Sequence, residues 1–266
     1  MHRQKSSVYF LKKQFPPPPH PNPHHPHATY TITINLIEIV IINMEITSEM
    51  IDELQKKYNC FLIDQFYSTE HLIEAVTQTG SVSREIFQLQ LSTGIQANST
   101  AKVYYDLNRF NPHYSKAFFR LTFTDIKDTL AYIGFKLTYA DPTYNMTETH
   151  SGLLIYNNKI YLTTGNEIGT TVGYQNTEIS GIDLTKDFII QIEKNKLSTC
   201  PLPQIIPYFD TFRIISPDRI FTLKATNSTY PPQDVVHYIM FFIKNSTNED
   251  KRLTLRHFCY LEEYAD

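Results

Sequence analysis

The sequence lacks tryptophan, has few cysteines and glycines, and carries little net charge. Its 266 residues include no Trp, 3 Cys and 8 Gly, and the formal net charge is −3 at pH 7. A charge this small does not favour long-range attraction to a polyanion, so nucleic acid is not an expected partner. Cys60, Cys200 and Cys259 are odd in number and contain no Cys-x-x-Cys pair, which argues against a zinc site or a disulfide framework and favours inert thiols.

Long apolar runs are also missing. The run at residues 32–42 is too short to span a bilayer and contains Asn35 and Glu38. It does not resemble a secretory signal, because a proline-rich stretch precedes it and no small-residue cleavage site follows. We therefore expect no membrane span.

The sequence carries no recognisable catalytic or cofactor motif. Gly165, Gly169 and Gly173 have a spacing that superficially resembles a phosphate loop. The Gly-Lys-Ser/Thr ending is missing and no helix pattern follows, so phosphate binding is not expected and we predict a flexible surface loop here. We predict no catalytic, cofactor-binding or metal residues, and an enzyme is the less favoured interpretation.

What the sequence does contain favours strands. The chain has 18 Tyr and 17 Phe, and Ile and Thr are abundant. Aromatic and β-branched side chains suit a pleated, half-buried surface. The length allows one large sandwich or two small domains with a core that needs no disulfide.

Composition divides the chain into three parts. Residues 1–43 are low in complexity and include a Pro/His stretch at 15–27. This part is interpreted as upstream sequence translated from an early start codon, as a disordered arm, or as a metal-binding arm. The metal ligands of that arm would be His20, His24, His25 and His27. On the first interpretation the mature chain begins at or near Met44.

Residues 44–80 are predicted to be a short helical lead-in. Ser48 is a suitable N-cap for a first helix that ends near Tyr58, and Ser68 for a second helix over residues 68–76. Residues 81–266 are predicted to form the main domain.

The main domain shows strand patterns with turns between them. Residues 152–165 are two apolar runs joined by Asn157-Asn158, which predicts a hairpin with a type I′ turn. Residues 209–225 predict a second hairpin, residues 235–244 a central strand, and Gly134 a bulge or a close backbone approach. About ten such strands predict an all-β fold, a two-sheet antiparallel β-sandwich with one or two short N-terminal helices.

These hairpins are similar to those of a known fold family. The apolar runs around Asn-Asn-Lys at 157–159, the segment Gly-Ile-Asp-Leu-Thr-Lys at 181–186 and Phe-Ile-Ile-Gln-Ile-Glu at 188–193 resemble concanavalin A-like (laminin-G-like) sandwiches over residues 84–261. The resemblance implies a concanavalin A-like or jelly-roll fold. The acidic run of the glycoside hydrolases of that class, Glu-x-Asp-x-x-Glu or Glu-x-Asp-x-Glu, is missing, and Glu178 and Asp183 have the wrong spacing to share a strand face. The metal site of the legume lectins is not identifiable either.

The remaining candidate residues each have a structural alternative. Four Asn-x-Ser/Thr sequons are candidate glycosylation sites, at Asn98, Asn145, Asn227 and Asn245. Four scattered histidines, His113, His150, His237 and His257, are predicted to be structural rather than catalytic. The tyrosines considered for a sugar-stacking or protein-binding face, with core packing as the alternative, are Tyr104, Tyr105, Tyr114, Tyr139 and Tyr144.

Two classes of function follow. The first is a non-enzymatic binding or assembly protein, including a structural protein of a virion, with a protein partner or a second copy as its ligand. The alternative is a carbohydrate-binding, lectin-like module or a divergent glycoside hydrolase. We expect binding on one sheet face and on the loops at 140–151, 165–177 and 226–234. A virion, an extracellular or a cytoplasmic location is compatible with these interpretations.

Overall fold

The protein is built from antiparallel strands. A computed structural model describes residues 9–12, 58–64, 72–85, 88–106, 115–168, 171–196, 208–216, 219–227 and 238–263. Sixteen strands and no helix occur in these ranges, which agrees with the all-β prediction. None of the described residues lies in a helix of the length and apolarity that a membrane crossing needs.

The strands form two sheets. The first sheet has nine strands, with the order β1-β2-β16-β7-β12-β13-β14 and with β4 and β5 beside the first half of β16. Its strands are β1 (Tyr9–Lys12), β2 (Tyr58–Asp64), β4 (Ser81–Glu85), β5 (Gln88–Ser92), β7 (Ser115–Phe123), β12 (Phe188–Lys196), β13 (Tyr208–Ser216), β14 (Arg219–Asn227) and β16 (Arg252–Glu263).

The second sheet has seven strands, in the order β11-β10-β9-β8-β15-β6-β3. Its strands are β3 (Ile73–Thr77), β6 (Thr100–Asp106), β8 (Thr129–Lys136), β9 (His150–Tyr156), β10 (Lys159–Ile168), β11 (Thr171–Ile179) and β15 (Tyr238–Asn245). Strand β15, the most continuously apolar one, is paired on both sides, with β6 and with β8, as the sequence predicted for a central strand.

The core lies between the two sheets and follows the period of two expected for strands. In β7 the odd-numbered residues 117–123 face inward, and in β15 residues 239, 241 and 243 do so. Phe119 and Phe258 stack with centroids 5.5 Å apart, and both rings contact Phe241 of the other sheet edge to face. In β16 the register shifts between Leu255 and His257. This bulge lets Leu255 and Phe258 both face the core although they are three residues apart.

The two predicted hairpins are confirmed. Asn157 and Asn158 have φ values of 49° and 63°, as a type I′ turn requires, and they join β9 to β10. Strands β13 and β14 form the second hairpin. Gly134 has a φ of 151°, and a Cβ there would lie 2.3 Å from the carbonyl oxygen of Ser151, so the predicted close backbone approach is present.

Two local predictions were wrong. Residues 165–174, predicted as a flexible loop, belong mostly to β10 and β11, which pair from Ile160 to Ile168. Residues 73–76, predicted in a second helix, lie in β3, which pairs with β6. In both cases pairing with a neighbouring strand satisfies the backbone groups, and this outweighs weak local preferences.

The sandwich also includes strands from before residue 81. Tyr58, predicted at the end of the first helix, begins β2, which pairs with the second half of β16. Tyr9–Lys12 pairs with β2, so these four residues of the 1–43 segment belong to the first sheet. The rest of that segment, with the four histidines of the Pro/His stretch, and the first predicted helix up to residue 57 lie outside the described residues.

Candidate functional site

The outer face of the seven-stranded sheet carries a dense set of aromatic and polar side chains. Because paired residues share a face, the register defines rows that run across the strands. One row contains Lys102, Phe242, Tyr132, Leu154, Tyr161 and Glu178. A second row contains Asp106, Tyr238, Lys136, His150 and Gly165. Tyr104 and Met240 lie in the row between these two.

A segment of the chain itself covers much of this face. We call residues 137–149, which connect β8 to β9, the covering segment. Its Met146 is 3% exposed and packs with Tyr132, Leu154, Tyr161, Met240 and Phe242. Its Tyr144 stacks on Tyr156 with centroids 4.9 Å apart. The face above β8, β9 and β10 is therefore filled by the protein.

Polar contacts fix the covering segment to the sheet. Lys136 is fully buried and forms an ion pair with Glu148, which also accepts a hydrogen bond from Thr138. Burial lowers the pKa of Lys136, and the contact with Glu148 opposes this effect. At the other side Asn176 donates a hydrogen bond of 2.9 Å to the carbonyl oxygen of Tyr144.

His150 anchors the same segment from β9. Its Nδ1 donates to the carbonyl oxygen of Glu148 at 2.7 Å, and its Nε2 is 2.8 Å from the hydroxyl oxygen of Thr163. The side chain is 1% exposed. His150 is thus a structural histidine, as predicted.

Near the start of the covering segment, its Tyr139 forms an accessible group with Tyr104 of β6 and Tyr238 of β15. We call Tyr104, Tyr139 and Tyr238 the tyrosine cluster. The rings of Tyr104 and Tyr139 are nearly parallel, with centroids 6.4 Å apart and an angle of 19°. The ring of Tyr238 is perpendicular to both, at 5.5 and 6.3 Å. Tyr139 is 62% exposed, and exposed Ile73 of β3 extends the surface beside Tyr104.

Charged groups surround the tyrosine cluster. Lys102 donates from Nζ to the carbonyl oxygen of Tyr139 and to the carboxylate of Asp141, both at 2.7 Å. Asp106 lies opposite Tyr238 in the register. Burial raises the pKa of Tyr238, and the charge of Asp106 raises it further. Other carboxylates of the face are engaged in ion pairs, Glu148 with Lys136 and Glu178 with Lys159.

The sequence identified part of this cluster. Tyr104 and Tyr139 were candidates, and both belong to the cluster. Tyr105 packs in the core against Phe258, and Tyr144 of the covering segment stacks on Tyr156. Tyr114 lies outside the described residues. Tyr238 was missed because residues 235–244 were interpreted only as a central strand. Tyr238, Met240 and Phe242 are spaced two residues apart in a strand, and this spacing was the signal that they share one face.

The three loops predicted to bind a ligand differ in what the structure shows for them. Residues 140–149 of the first loop form most of the covering segment. The loop at 165–177 is replaced by strands β10 and β11. Of residues 226–234, the first two end β14 and the others lie outside the described residues.

The predicted glycosylation sites differ in exposure. Asn98 and Asn145 are exposed in turns, and Asn227 ends β14. Asn245 is fully buried, and its amide nitrogen donates to the carbonyl oxygens of Gly94 and Glu249. A glycan on Asn245 is incompatible with this folded structure, so that prediction is corrected. Glycosylation of the other three asparagines stays a prediction.

The remaining sequence candidates have structural roles or lie outside the described residues. Asp183 accepts hydrogen bonds from the backbone and hydroxyl of Thr185, which lower its pKa. His257 is buried, and so is Cys259, which forms no disulfide. His113, His237 and Cys200 lie outside the described residues. Within those described, no three His, Cys, Asp or Glu side chains are grouped to hold a metal ion.

Comparisons with known proteins identify the fold. No family model and no curated protein matches the sequence. Similar solved structures include a protein of unknown function from Shewanella oneidensis, with a TM-score of 0.53 at 10% identity over 84% of this chain and 98% of the other. Another is the catalytic domain of an endo-1,3-β-glucanase (laminarinase) from Thermotoga petrophila, with a TM-score of 0.53 at 9% identity over 76% and 97% of the two chains.

A third similar structure belongs to work on endo-acting O-glycanases that members of the human gut microbiota express to initiate mucin breakdown. Its TM-score is 0.53 at 10% identity, over 76% of this chain and 98% of the other. At such identities the similarity shows the fold alone. The chain has the concanavalin A-like β-sandwich fold that its hairpins resemble.

Proposed function

We propose that the protein is a carbohydrate-binding sandwich that holds a sugar at the tyrosine cluster without cleaving it. The observation that carries this proposal is the exposed ring of Tyr139, 62% accessible and held beside Tyr104 and Tyr238. Tyrosine rings offer an apolar face for the C–H groups of a pyranose and a hydroxyl for its polar edge. Sugar-active proteins with the same fold, a laminarinase and O-glycanases, support the proposal.

Hydrolysis is less supported than binding. A glycosidase typically acts with two carboxylates about 5 to 10 Å apart that flank the scissile bond. Glu178 of β11 and Asp106 of β6 are separated by five strand spacings, about 24 Å. Asp141 and Glu148 of the covering segment each form an ion pair with a lysine. A substrate would have to break these ion pairs to reach either carboxylate.

A glycan array followed by titration calorimetry tests the proposal. We expect at least one glycan to bind, and Tyr139→Ala to weaken binding at least tenfold while leaving the melting temperature nearly unchanged, because the ring is exposed. Tyr139→Phe keeps the ring and should keep most of the affinity. Ile95→Ala, a change at another exposed apolar residue, is the matched control.

Two results would overturn this assignment. The first is that no glycan binds, or that Tyr139→Ala binds as tightly as the wild type. The second is hydrolysis of a polysaccharide panel by the purified protein, with loss of that activity when one carboxylate, such as Asp106, is replaced and the fold is retained.

Assembly through a protein partner or a second copy is a second candidate, and strand β3 favours it. Among the described residues β3 pairs only with β6, and it exposes Ile73 and Val76 at 44% and 48%. An exposed edge with apolar side chains is a template for pairing with another strand. A structural role in a virion would use such an edge. Light scattering tests this, since Val76→Lys should shift an oligomer toward the monomer.

A further inference from the structure

One aromatic ring dominates the accessible surface of the tyrosine cluster. Tyr139 is 62% exposed, and among the aromatic side chains that the structure describes it alone is exposed. Tyr104 and Tyr238 are half-buried beside it. The centroids of the three rings all lie within 6.4 Å of one another. The cluster therefore offers one stacking surface, similar in size to a single pyranose, and not a row of surfaces along which a glycan could lie.

The described surface around this ring limits how a glycan can continue from it. Tyr238 is perpendicular to the other two rings, at interplanar angles of 89° and 90°, so the three rings form a corner and not a flat platform. Above β8, β9 and β10, later residues of the covering segment fill the face, where Met146 is 3% exposed and Tyr144 stacks on Tyr156. A linear glycan that continued over these strands would collide with the covering segment.

Resting on the function proposed above, we propose that the tyrosine cluster binds the non-reducing terminal residue of a glycan and not its internal residues. The terminal pyranose stacks on Tyr139, in the corner that Tyr238 closes. The rest of the glycan leaves toward solvent past Ile73, which is 44% exposed and lies beside Tyr104 in the register. The non-reducing end is the one that is free to enter, because a glycan is joined to its protein, its lipid or the next sugar through its reducing end.

A polar group beside the same ring suits a terminal residue. The side chain of Asp141 is 51% exposed, and a hydrogen bond of 2.7 Å from Lys102 fixes its carboxylate two residues after Tyr139. An ionised carboxylate has about four acceptor sites, so Asp141 can accept hydrogen bonds from sugar hydroxyls while it stays paired with Lys102. A terminal residue offers more hydroxyl donors than an internal residue of the same chain, because no further sugar is linked to it.

The dependence of affinity on glycan length tests the inference. Linear gluco-, galacto- and manno-oligosaccharides of two, four and six units, with α and β linkages, are titrated into the full chain by calorimetry. Within a series that binds, we expect the affinities of the three lengths to agree within about twofold, because each glycan presents one non-reducing end. A groove with several subsites would instead gain affinity with each added unit.

Blocking one end at a time identifies the end that is bound. A six-unit member of the binding series that carries a 4,6-benzylidene acetal on its non-reducing residue should bind at least tenfold more weakly than the unmodified glycan. The acetal removes two hydroxyl donors and adds bulk where the corner is closed. The matched control is the same glycan reduced to an alditol at its other end, which should bind within about twofold of the unmodified one.

Tyr238→Ala tests the corner itself. Without this ring a glycan can extend beyond Tyr139, so the ratio of six-unit to two-unit affinity should rise at least threefold above that of the wild type. Ile95→Ala is the matched control and should leave the ratio near one. Ile95 is exposed and follows Gly94, whose carbonyl oxygen binds Asn245 at the opposite end of β15 from Tyr238.

The outcomes separate this inference from the proposed function. End binding is overturned if affinity rises at least threefold from two to six units in the wild type, if the acetal leaves binding unchanged, or if the alditol binds at least tenfold more weakly. A ratio that Tyr238→Ala leaves unchanged overturns the corner as its cause. In each of these cases the proposed function stands if Tyr139→Ala still weakens binding at least tenfold. If no glycan binds at all, both fail.

Discussion

Gly165 lies directly opposite His150 across β9 and β10, and an added Cβ at Gly165 would lie 2.2 Å from Cε1 of the imidazole. The imidazole of His150 occupies the space that a side chain at position 165 would fill. From that position His150 reaches both Glu148 of the covering segment and Thr163 of β10. A glycine on the sheet thus determines how the covering segment is anchored.

Gly165→Ala should destabilise the protein by about 2–3 kcal/mol. Replacing glycine by alanine in a strand would by itself stabilise the protein by about 0.5–1 kcal/mol. Here the added methyl group displaces a buried ring that makes two hydrogen bonds, and this cost is larger, so the net effect is destabilising. Chemical unfolding measures it. In a His150→Ala background the same change should cost much less, because the ring is gone and the next atom that the added Cβ meets is the carbonyl oxygen of Glu148 at 3.0 Å.

Gln175→Ala, at an exposed residue of the neighbouring strand β11, is the control and should change stability by no more than about 0.5 kcal/mol. An equal cost of Gly165→Ala with and without the imidazole would contradict the role assigned to this glycine.

The sequence predicted well the features that depend on neighbouring residues. The turn at Asn157 and Asn158 needs only positive φ at two positions, which asparagine tolerates. The apolar run at 235–244 likewise predicted the strand β15 from neighbouring residues alone. Such local patterns were enough for the all-β sandwich.

Features that depend on distant partners were not predictable in this way. Residues 73–76 resemble a capped helix, yet β3 pairs with β6, which lies more than twenty residues further along the chain. Gly165 was interpreted as part of a loop because the sequence does not show that the imidazole of His150 lies against it in the neighbouring strand. Tyr104, Tyr139 and Tyr238 meet only because β15 is inserted between β6 and β8.

Asp250→Ala should destabilise the protein by about 2 kcal/mol at neutral pH. The Asp250 carboxylate accepts hydrogen bonds from the hydroxyl of Ser92, the backbone of Gly94 and the guanidinium of Arg252. Burial alone would raise the pKa of Asp250, but these bonds outweigh it and lower the pKa. Removing the carboxylate leaves the Ser92 and Gly94 donors without this acceptor. Chemical unfolding of the wild type and the variant measures the difference.

The stabilisation that Asp250 provides depends on pH, and the lowered pKa of its carboxyl group gives the direction. The folded state holds the ionised carboxylate more strongly than the unfolded chain does, so the wild-type advantage is present above pH 3.8 and is lost as the pH falls through the folded pKa. Glu249→Gln is the control, since that carboxylate is 66% exposed and its ion pair with Lys251 should contribute little. An advantage that persists unchanged at pH 2 would contradict this assignment.

His257 should make the protein sensitive to mild acid. Burial, together with the smaller effect of the Arg120 charge opposite, lowers the pKa of His257 from 6.5 to about 4. Between these pH values the unfolded chain binds a proton that the folded chain does not, so stability falls as the pH decreases from about 6.5 to about 4. The loss amounts to about 3 kcal/mol.

His257→Gln removes this titration, and comparison of urea unfolding at pH 7 and pH 4.5 checks it. The variant should lose about 2–3 kcal/mol less than the wild type over this interval, whatever its stability at pH 7. Acid-sensitive carboxylates are common to both proteins and cancel in the comparison. Equal losses in the two proteins would show that His257 is not the responsible group.

Lys102→Met should weaken sugar binding without unfolding the protein. Lys102 holds the carbonyl oxygen of Tyr139 and the carboxylate of Asp141, and both of these residues are exposed enough to be hydrated once the ammonium group is lost. Methionine preserves the apolar stem that packs on the sheet. Tyr139 would then have to be ordered on binding, at a cost of about 0.5–1.5 kcal/mol, or roughly three- to tenfold in affinity. Calorimetry with the bound glycan measures this loss.

The matched control is Lys159→Met, on the outer face of the same sheet. The side chain of Lys159 is 53% exposed and forms an ion pair with Glu178, at the opposite side of the sheet from the tyrosine cluster. That variant should bind the glycan as the wild type does. If both lysine variants weaken binding equally, a general effect of charge accounts for the result. If Lys102→Met alone weakens binding and the change in melting temperature stays small, Lys102 acts by positioning the ring of Tyr139.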